Sequence, residues 1–555
     1  MGFYLNSNKP VSLYLSETRN PYFVDKTEIL CELMPLVERG NQYICITRTR
    51  RFGKTIMANM IGAFFGKNNK GVMFDTLSVA AQEGYNKHRN QHNVICISLN
   101  EMPGTRTYAA YIDRIKQKLL DDLMKAYPEA AISETDTLWD ALNTIHEESE
   151  DEKFIFVFDE WDFIFHRSFV TDEDKISYIS FLSSLLKDQP YVELAYMTGI
   201  LPIAKYSSGS EINMFLEYTM ASKERFGEYF GFTDNEVKML YERYKTNTLE
   251  PMVTLKGLRK WYDGYETMSG VKLYNPRSIV ASLSDNQLAD YWTSSGPYDE
   301  VFYYVKNNIA GVRDDIAKMI AGEEVRAQVS EYSATSTEIK TRDEVLSAMV
   351  VYGFLTANDG RESIPNKELM DKFVDMVKKE NSLGYVYSLA KESERMLEAT
   401  KAADTETMTA ILQQAHDTET GMTGYNDEAE LSAIVKLVYL SARDYYDMER
   451  EDKAGVGYVD YIFYPKENMS DDCIIVELKV DHNADEAIQQ IKERNYAQRF
   501  IGKLGEQTKF SGRILAVGIS YFKNDKTKRH QCKVEVLRGK RFYTGKVNYS
   551  GGKSD

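Results

Sequence analysis

Residues 43–65 read "YICITRTRRFGKTIMANMIGAFF". A short run of β-branched and aromatic residues gives way to a basic loop, and the loop to an apolar segment long enough for a helix. The loop ends in Gly53-Lys54-Thr55. In the pattern G-x-x-x-x-G-K-[ST], backbone N–H groups and a helix N-terminus cradle phosphate, the lysine reaches the outer phosphates and the hydroxyl ligates magnesium. Gly53, Lys54 and Thr55 fill those three roles. The leading glycine is replaced by Arg48, which does not readily take the positive φ that glycine permits. The bend must then come from elsewhere in the loop, and Arg48, Arg50 and Arg51 add positive charge to it. ATP with Mg²⁺ is the expected occupant.

Around this stretch, short apolar runs recur at 93–99, 153–159 and 192–200, with helical segments such as 107–127 between them. That alternation predicts a mostly parallel sheet wrapped by helices. The run at 153–165, "KFIFVFDEWDFIF", ends its apolar part in two acids. Asp159 would hold magnesium through water, and Glu160 would polarise an attacking water. Taken alone, it is equally an ordinary buried strand ending in an acidic turn. Thr198, at the tip of "AYMTGI", is placed to contact the γ-phosphate.

A chain of 555 residues exceeds one core and predicts several domains. The net charge of −16 excludes a protein coated in basic surface, although a channel needs only local positive charge. The five cysteines form no C-x-x-C pair, which argues against a zinc site or a disulfide framework. The N-terminal residues lack a signal-peptide layout and no apolar run approaches membrane-spanning length, so a cytoplasmic protein without a membrane partner is expected. After Gly231 the pattern turns to charged helices, the first opened by a capping box of Thr233 and Glu236. The passage "WYDGY" (261–265) reads as a packed aromatic corner, and 341–376 as helix, strand, turn, strand, helix. The expected division is 1–230, a helical lid region 231–340, a winged-helix-like segment 341–376, a connector 377–423, a last domain 424–545, and a tail 546–555.

The last domain carries a second constellation. In "YVDYIFYPKENMSDDCIIVELKV" (458–480), two strand-like runs are joined by a polar turn. Residues two apart on a strand share a face, so Glu477 and Lys479 project together, and Asp460 can meet them across the hairpin. Two carboxylates and a strand carbonyl, that of Leu478, make a hard oxygen cage suited to Mg²⁺ or Mn²⁺. A neighbouring lysine can orient water for phosphodiester hydrolysis. By itself E-x-K also describes a solvated hairpin. The charges, however, follow "CIIV", a run expected to be buried on both faces. Basic residues interleaved with aromatics downstream, from Lys523 to Tyr543, suit a nucleic-acid backbone, though a solvated tail explains them as well. The seven histidines are dispersed, "NKHRNQHN" (86–93) reads as a loop, and none is assigned to metal.

Together "YFVDKTEIL" (22–30), "TRTRRFGKT", "FVFDEWD", "YMTGI", "WYDGY" and "LYNPRSI" resemble the bacterial AAA-ATPase-like family, whose R-P-R-R-F-G-K-S loop also lacks the leading glycine; Thr49 stands where that family has proline. The C-terminal layout resembles the PD-(D/E)-x-K nuclease fold often fused behind it. That resemblance implies Asp460 as the motif aspartate, Glu477 as the second acid and Lys479 as the lysine. It further implies Glu430 (with Glu428 competing) as a helix-borne acid, and Gln490 and Tyr496 from the following helix. In place of G-R-x-D the chain has Gly457-Tyr458-Val459-Asp460, without the arginine. The expected fold class is α/β: a P-loop NTPase domain, a helical and winged-helix-like middle region, and a restriction-endonuclease-like domain.

The expectation is a nucleotide-regulated, metal-dependent nuclease with an associated ATPase, binding nucleic acid, DNA before RNA, as a homo-oligomer or alone. By analogy it would serve in defence or mobile-element biology. One competing account is a nucleotide-binding signalling or scaffold protein whose nuclease fold only binds. Another is a remodelling ring, which needs an arginine finger; Arg225 and Arg277 are the candidates.

Overall fold

The computed structural model describes residues 2–67, 71–101, 107–203, 211–220, 225–292, 311–328, 341–383, 385–417, 428–449, 459–466, 471–494, 512–523 and 530–538, with 104, 303, 305 and 339. The chain divides into two compact units, residues 1–301 with 326–370, and residues 302–325 with 371–555.

The first unit is built on five strands: β1 (Gln42–Thr47), β2 (Asn93–Ser98), β3 (Phe154–Asp159), β4 (Val192–Gly199) and β5 (Leu216–Tyr218). They lie in the order β2-β3-β4-β1-β5, with every pair parallel. Strands such as β3, buried at every position, are what a sheet covered on both faces requires. The order sets β4 between the loop-bearing β1 and the acid-bearing β3. The helix Lys54–Phe65 follows β1 after one tight loop.

Further along, the helix Asp234–Asn247 starts at a capping box between Thr233 and Glu236, as its sequence predicts. In the aromatic corner Tyr262 and Tyr265 are buried, and their hydroxyls donate to Ala289 O and Gly353 O. The helix Arg342–Tyr352, the antiparallel strands Thr356–Asn358 and Arg361–Ser363, and the helix Lys367–Lys379 reproduce the expected order of elements.

The stretch around His88 and His92 departs from the loop expected of it. Tyr85–His88 is a helical turn, and the two imidazoles meet, His88 Nδ1 lying 3.0 Å from His92 Nε2. The ring planes are 9° apart and the ring centres 5.2 Å apart. That separation is close to the nitrogen contact plus two ring radii, so the rings lie edge to edge in one plane, as an N–H···N bond requires. Glu38 takes the outer nitrogen of His88 at 3.2 Å and Glu193 that of His92 at 2.9 Å; Arg39, Lys87 and Lys153 line the same cavity of about 270 Å³. Burial lowers the pKa of His88, reinforced by His92 and Lys87 and opposed by Glu38. A histidine whose folded pKa is depressed contributes stability above its unfolded pKa and loses it as pH falls. Thermal unfolding should therefore show Tm falling between about pH 7 and pH 5, with a shallower fall in His88→Gln.

The second unit holds β6 (Tyr446–Glu449), β7 (Tyr461–Pro465), β8 (Cys473–Val480), β9 (Ile514–Tyr521) and β10 (His530–Arg538), side by side in that order. β8 and β9 are parallel; the other neighbours are antiparallel. Ile475 of β8 and Ala516 of β9 form a core with Ile488 and Ile491 of the helix Ala484–Glu493. No helix among the described residues is long and apolar enough to cross a membrane.

Candidate functional site

The loop after β1 solves its bend with two left-handed residues, Arg51 (φ 68°) and Gly53 (φ 88°). A non-glycine in that region is uncommon and strained. Arg51 is held there by its guanidinium donating to Tyr291 O at 3.1 Å, and the neighbouring Arg50 carbonyl accepts from the Trp292 indole at 3.2 Å. The Tyr291 and Trp292 amides in turn donate to Glu368, whose Oε2 also accepts from Ser278 at 2.8 Å. Burial raises the Glu368 pKa to about 7 despite these donors. Thr49 anchors the other side of the loop, its hydroxyl donating to Tyr352 O at 2.8 Å.

Arg48 does not add its charge to the mouth of the loop, contrary to expectation. Its guanidinium is buried, donates to Thr47 O and Tyr218 O at 2.8 Å each, and lies over the Phe230 ring. It ties the loop to β5, so the loop's remaining positive charge rests with the half-buried Arg50 and Arg51.

Lys54 is buried and donates to the Arg48 and Thr49 carbonyls at 2.7 and 2.9 Å. Burial lowers its pKa to about 8, while Asp162, Asp159 and Glu160 favour the charged form. The N-terminus of its helix has no side-chain cap, which leaves first-turn N–H groups for an anion. Across β4, the Thr198 hydroxyl donates to Asp159 Oδ1 at 3.1 Å. Burial raises the Asp159 pKa, against the nearby Thr55 and Thr198 hydroxyls. Asp159 Oδ2 is buried with no partner among the described residues. An orphaned carboxylate oxygen beside a threonine hydroxyl fits a Mg²⁺ held with nucleotide. Glu160 closes β3 in a left-handed conformation (φ 55°).

In the second unit, β7 pairs with β8 through Tyr461↔Val476 and Ile462↔Ile475. One more step of that register sets Asp460 across from Glu477. Asp460 Oδ2 accepts from the Leu478 amide at 2.8 Å. Glu477 Oε1 accepts from Lys479 Nζ at 3.1 Å and from the Gln490 side chain. The helix carrying Gln490 can lie this close because Gly518, the partner of Glu477 on β9, has no Cβ; one there would sit 2.4 Å from Ala484 O. Glu477 is buried, and burial together with the Asp460 charge raises its pKa to about 7 against Lys479 and Arg494. Its Oε2 is a buried oxygen without a partner among the described residues. Two carboxylates facing each other, one with an orphaned oxygen, fit a divalent cation.

Residues 16–208 match the family described as a predicted AAA-ATPase, and residues 426–530 match the PD-(D/E)XK nuclease superfamily. The chain joins an AAA-ATPase-like domain to a PD-(D/E)XK nuclease superfamily domain. No curated protein matches it.

Of the other residues expected in the nuclease domain, Glu428 and Glu430 fall in the first turn of the helix Glu428–Val438, but their side chains lie outside the described residues, as do Tyr496, Tyr458 and most of the basic tail. The described tail lysines each stand near carboxylates, Lys523 near Asp481 and Lys533 near Asp485 and Glu535. Of the two arginine-finger candidates, Arg225 is paired with Glu32 at 2.8 Å within its own chain. Sequence reading missed Asp162, a buried acid whose Oδ2 accepts from the Ile200 and Leu201 amides at 3.0 and 2.8 Å and so fixes the chain leaving β4. The acidic cluster "DEWD" was its only signal. It also missed Trp292 and Glu368, for which no local pattern exists.

Proposed function

We propose that the chain is a divalent-metal-dependent nuclease that hydrolyses nucleic acid, DNA in preference to RNA, under the control of ATP bound in its AAA-ATPase-like domain. The observation that carries this is the convergence of Lys479 and Gln490 on Glu477, with Asp460 across the hairpin, around an oxygen left without a partner among the described residues. Asp460, Glu477 and the Leu478 carbonyl would hold Mg²⁺ or Mn²⁺. When bound, the ion supplies Lewis-acid stabilisation of the charge that develops on the phosphodiester. Gln490 fixes the Glu477 rotamer, so the carboxylate is pre-set rather than recruited. Lys479, bonded to Glu477, orients water toward phosphorus. In the AAA-ATPase-like domain Lys54 and the uncapped helix N-terminus would bind the nucleotide's phosphates, Thr55 and Asp159 would hold Mg²⁺, Glu160 would polarise water, and Thr198 would serve the γ-phosphate end of the site from its bond to Asp159. Arg50 and Arg51 contribute positive charge at the mouth.

The deciding experiment incubates the purified chain with plasmid DNA and, separately, RNA, in Mg²⁺, Mn²⁺ or chelator, with and without ATP. Metal-dependent cleavage whose rate changes with ATP is expected. Intact nucleic acid in every metal condition would favour the non-cleaving binding protein.

A further inference from the structure

The nuclease-like motif lacks an arginine at Tyr458, and the structure offers a cation from a different element. Arg494 closes the helix Ala484–Glu493, its N–H donating to Gln490 O and Lys492 O. It follows Gln490 by four residues, so the two side chains share one helix face. Gln490 bonds Glu477, and that face therefore looks onto the acidic pair. The positive charge of Arg494 also favours the Glu477 carboxylate, as that of Lys479 does and against the negative charge of Asp460. Arg494 is exposed, and Lys479 is largely covered.

An anionic phosphodiester approaching Asp460 and Glu477 meets two carboxylates first. An exposed guanidinium on the same face offsets that repulsion, and its planar fork matches two oxygens of a phosphate at once. We propose that Arg494 is the phosphate-gripping residue of the nuclease site, pairing with the two non-bridging oxygens of the scissile phosphodiester. In hydrolysis, water oxygen bonds to phosphorus, one P–O ester bond breaks, and the proton lost by water is balanced by one gained at the leaving oxygen. Arg494 stays protonated throughout and contributes charge and geometry alone. The assignment rests on the nuclease reading above.

The test compares Arg494→Gln and Arg494→Lys with the parent chain on a short DNA duplex. Cleavage is followed in Mg²⁺, and binding is followed in chelator over a range of salt. Arg494→Gln is expected to lower kcat/KM roughly ten- to a hundredfold. It should also reduce the salt slope of binding by about one. Arg494→Lys should keep the slope without restoring the rate, and millimolar guanidinium should partly rescue Arg494→Gln. A merely structural role predicts lost Tm, an unchanged slope and no rescue, and that result overturns the assignment. So does an Arg494→Gln chain that cuts and binds like the parent. If the parent itself cuts nothing, the nuclease reading fails and takes this one with it.

Discussion

Glu477→Gln is expected to abolish metal-dependent cleavage, by about a thousandfold or more, and to leave the chain slightly more stable than the parent. Both effects come from one atom. Glu477 Oε2 is buried without a partner among the described residues, and the carboxyl carries a pKa raised to about 7 by burial and by the Asp460 charge. An uncompensated buried oxygen costs about 1–3 kcal/mol, and like charge across the hairpin adds to that. Glutamine keeps the Oε1 acceptor for Lys479 and Gln490 while removing the charge that Asp460 opposes, so Tm in chelator should rise by a few degrees. Mg²⁺ or Mn²⁺ should then raise the Tm of the parent by mass action and leave that of Glu477→Gln unmoved. A catalytic site stores instability that its ligand relieves. A variant that loses stability and still gains it back from metal would place the ion elsewhere. Asp460→Ala is the companion: it removes the acceptor of the Leu478 amide, so cleavage should vanish with a modest loss of stability.

What could be read in advance follows a physical line. The strand, loop and helix around Lys54 announce themselves by local periodicity, as do β3, β4 and the Thr233 capping box, because each is decided by neighbours within a few residues. The meeting of Asp460, Glu477 and Lys479 was legible because a hairpin is local as well. The burial of Arg48 is not legible, for the opposite reason. Its charge is plain in the sequence, but its partner Tyr218 lies 170 residues away on the three-residue strand β5, too short to have a pattern. Glu368 and Trp292, which brace the same loop, are set by contacts across 76 residues. The His88–His92 bond was closer to hand at four residues, yet the two outer carboxylates that align the rings come from Glu38 and Glu193, beyond any local reading. Chemistry carried by adjacent strands shows in a sequence; chemistry carried by tertiary bracing does not.

That bracing bears on the second large effect. Lys54→Ala is expected to weaken ATP binding by about a hundredfold, measured by calorimetry or by the Tm shift with nucleotide. Lys54→Arg should fail to restore it. The ammonium fits between the Arg48 and Thr49 carbonyls in a buried slot, and a planar guanidinium with five fixed donors does not match a point-charge socket. The loop itself should survive, since its bend is made by Arg51 and Gly53 and tied down through Tyr291, Trp292 and Tyr352. If ATP controls the nuclease domain, the linkage has a definite signature: cleavage by Lys54→Ala should proceed at the parent's nucleotide-free rate and stop responding to ATP. A variant that no longer binds ATP yet still changes its cleavage rate when ATP is added would separate the two activities, leaving a nuclease and a nucleotide site that share a chain without sharing control.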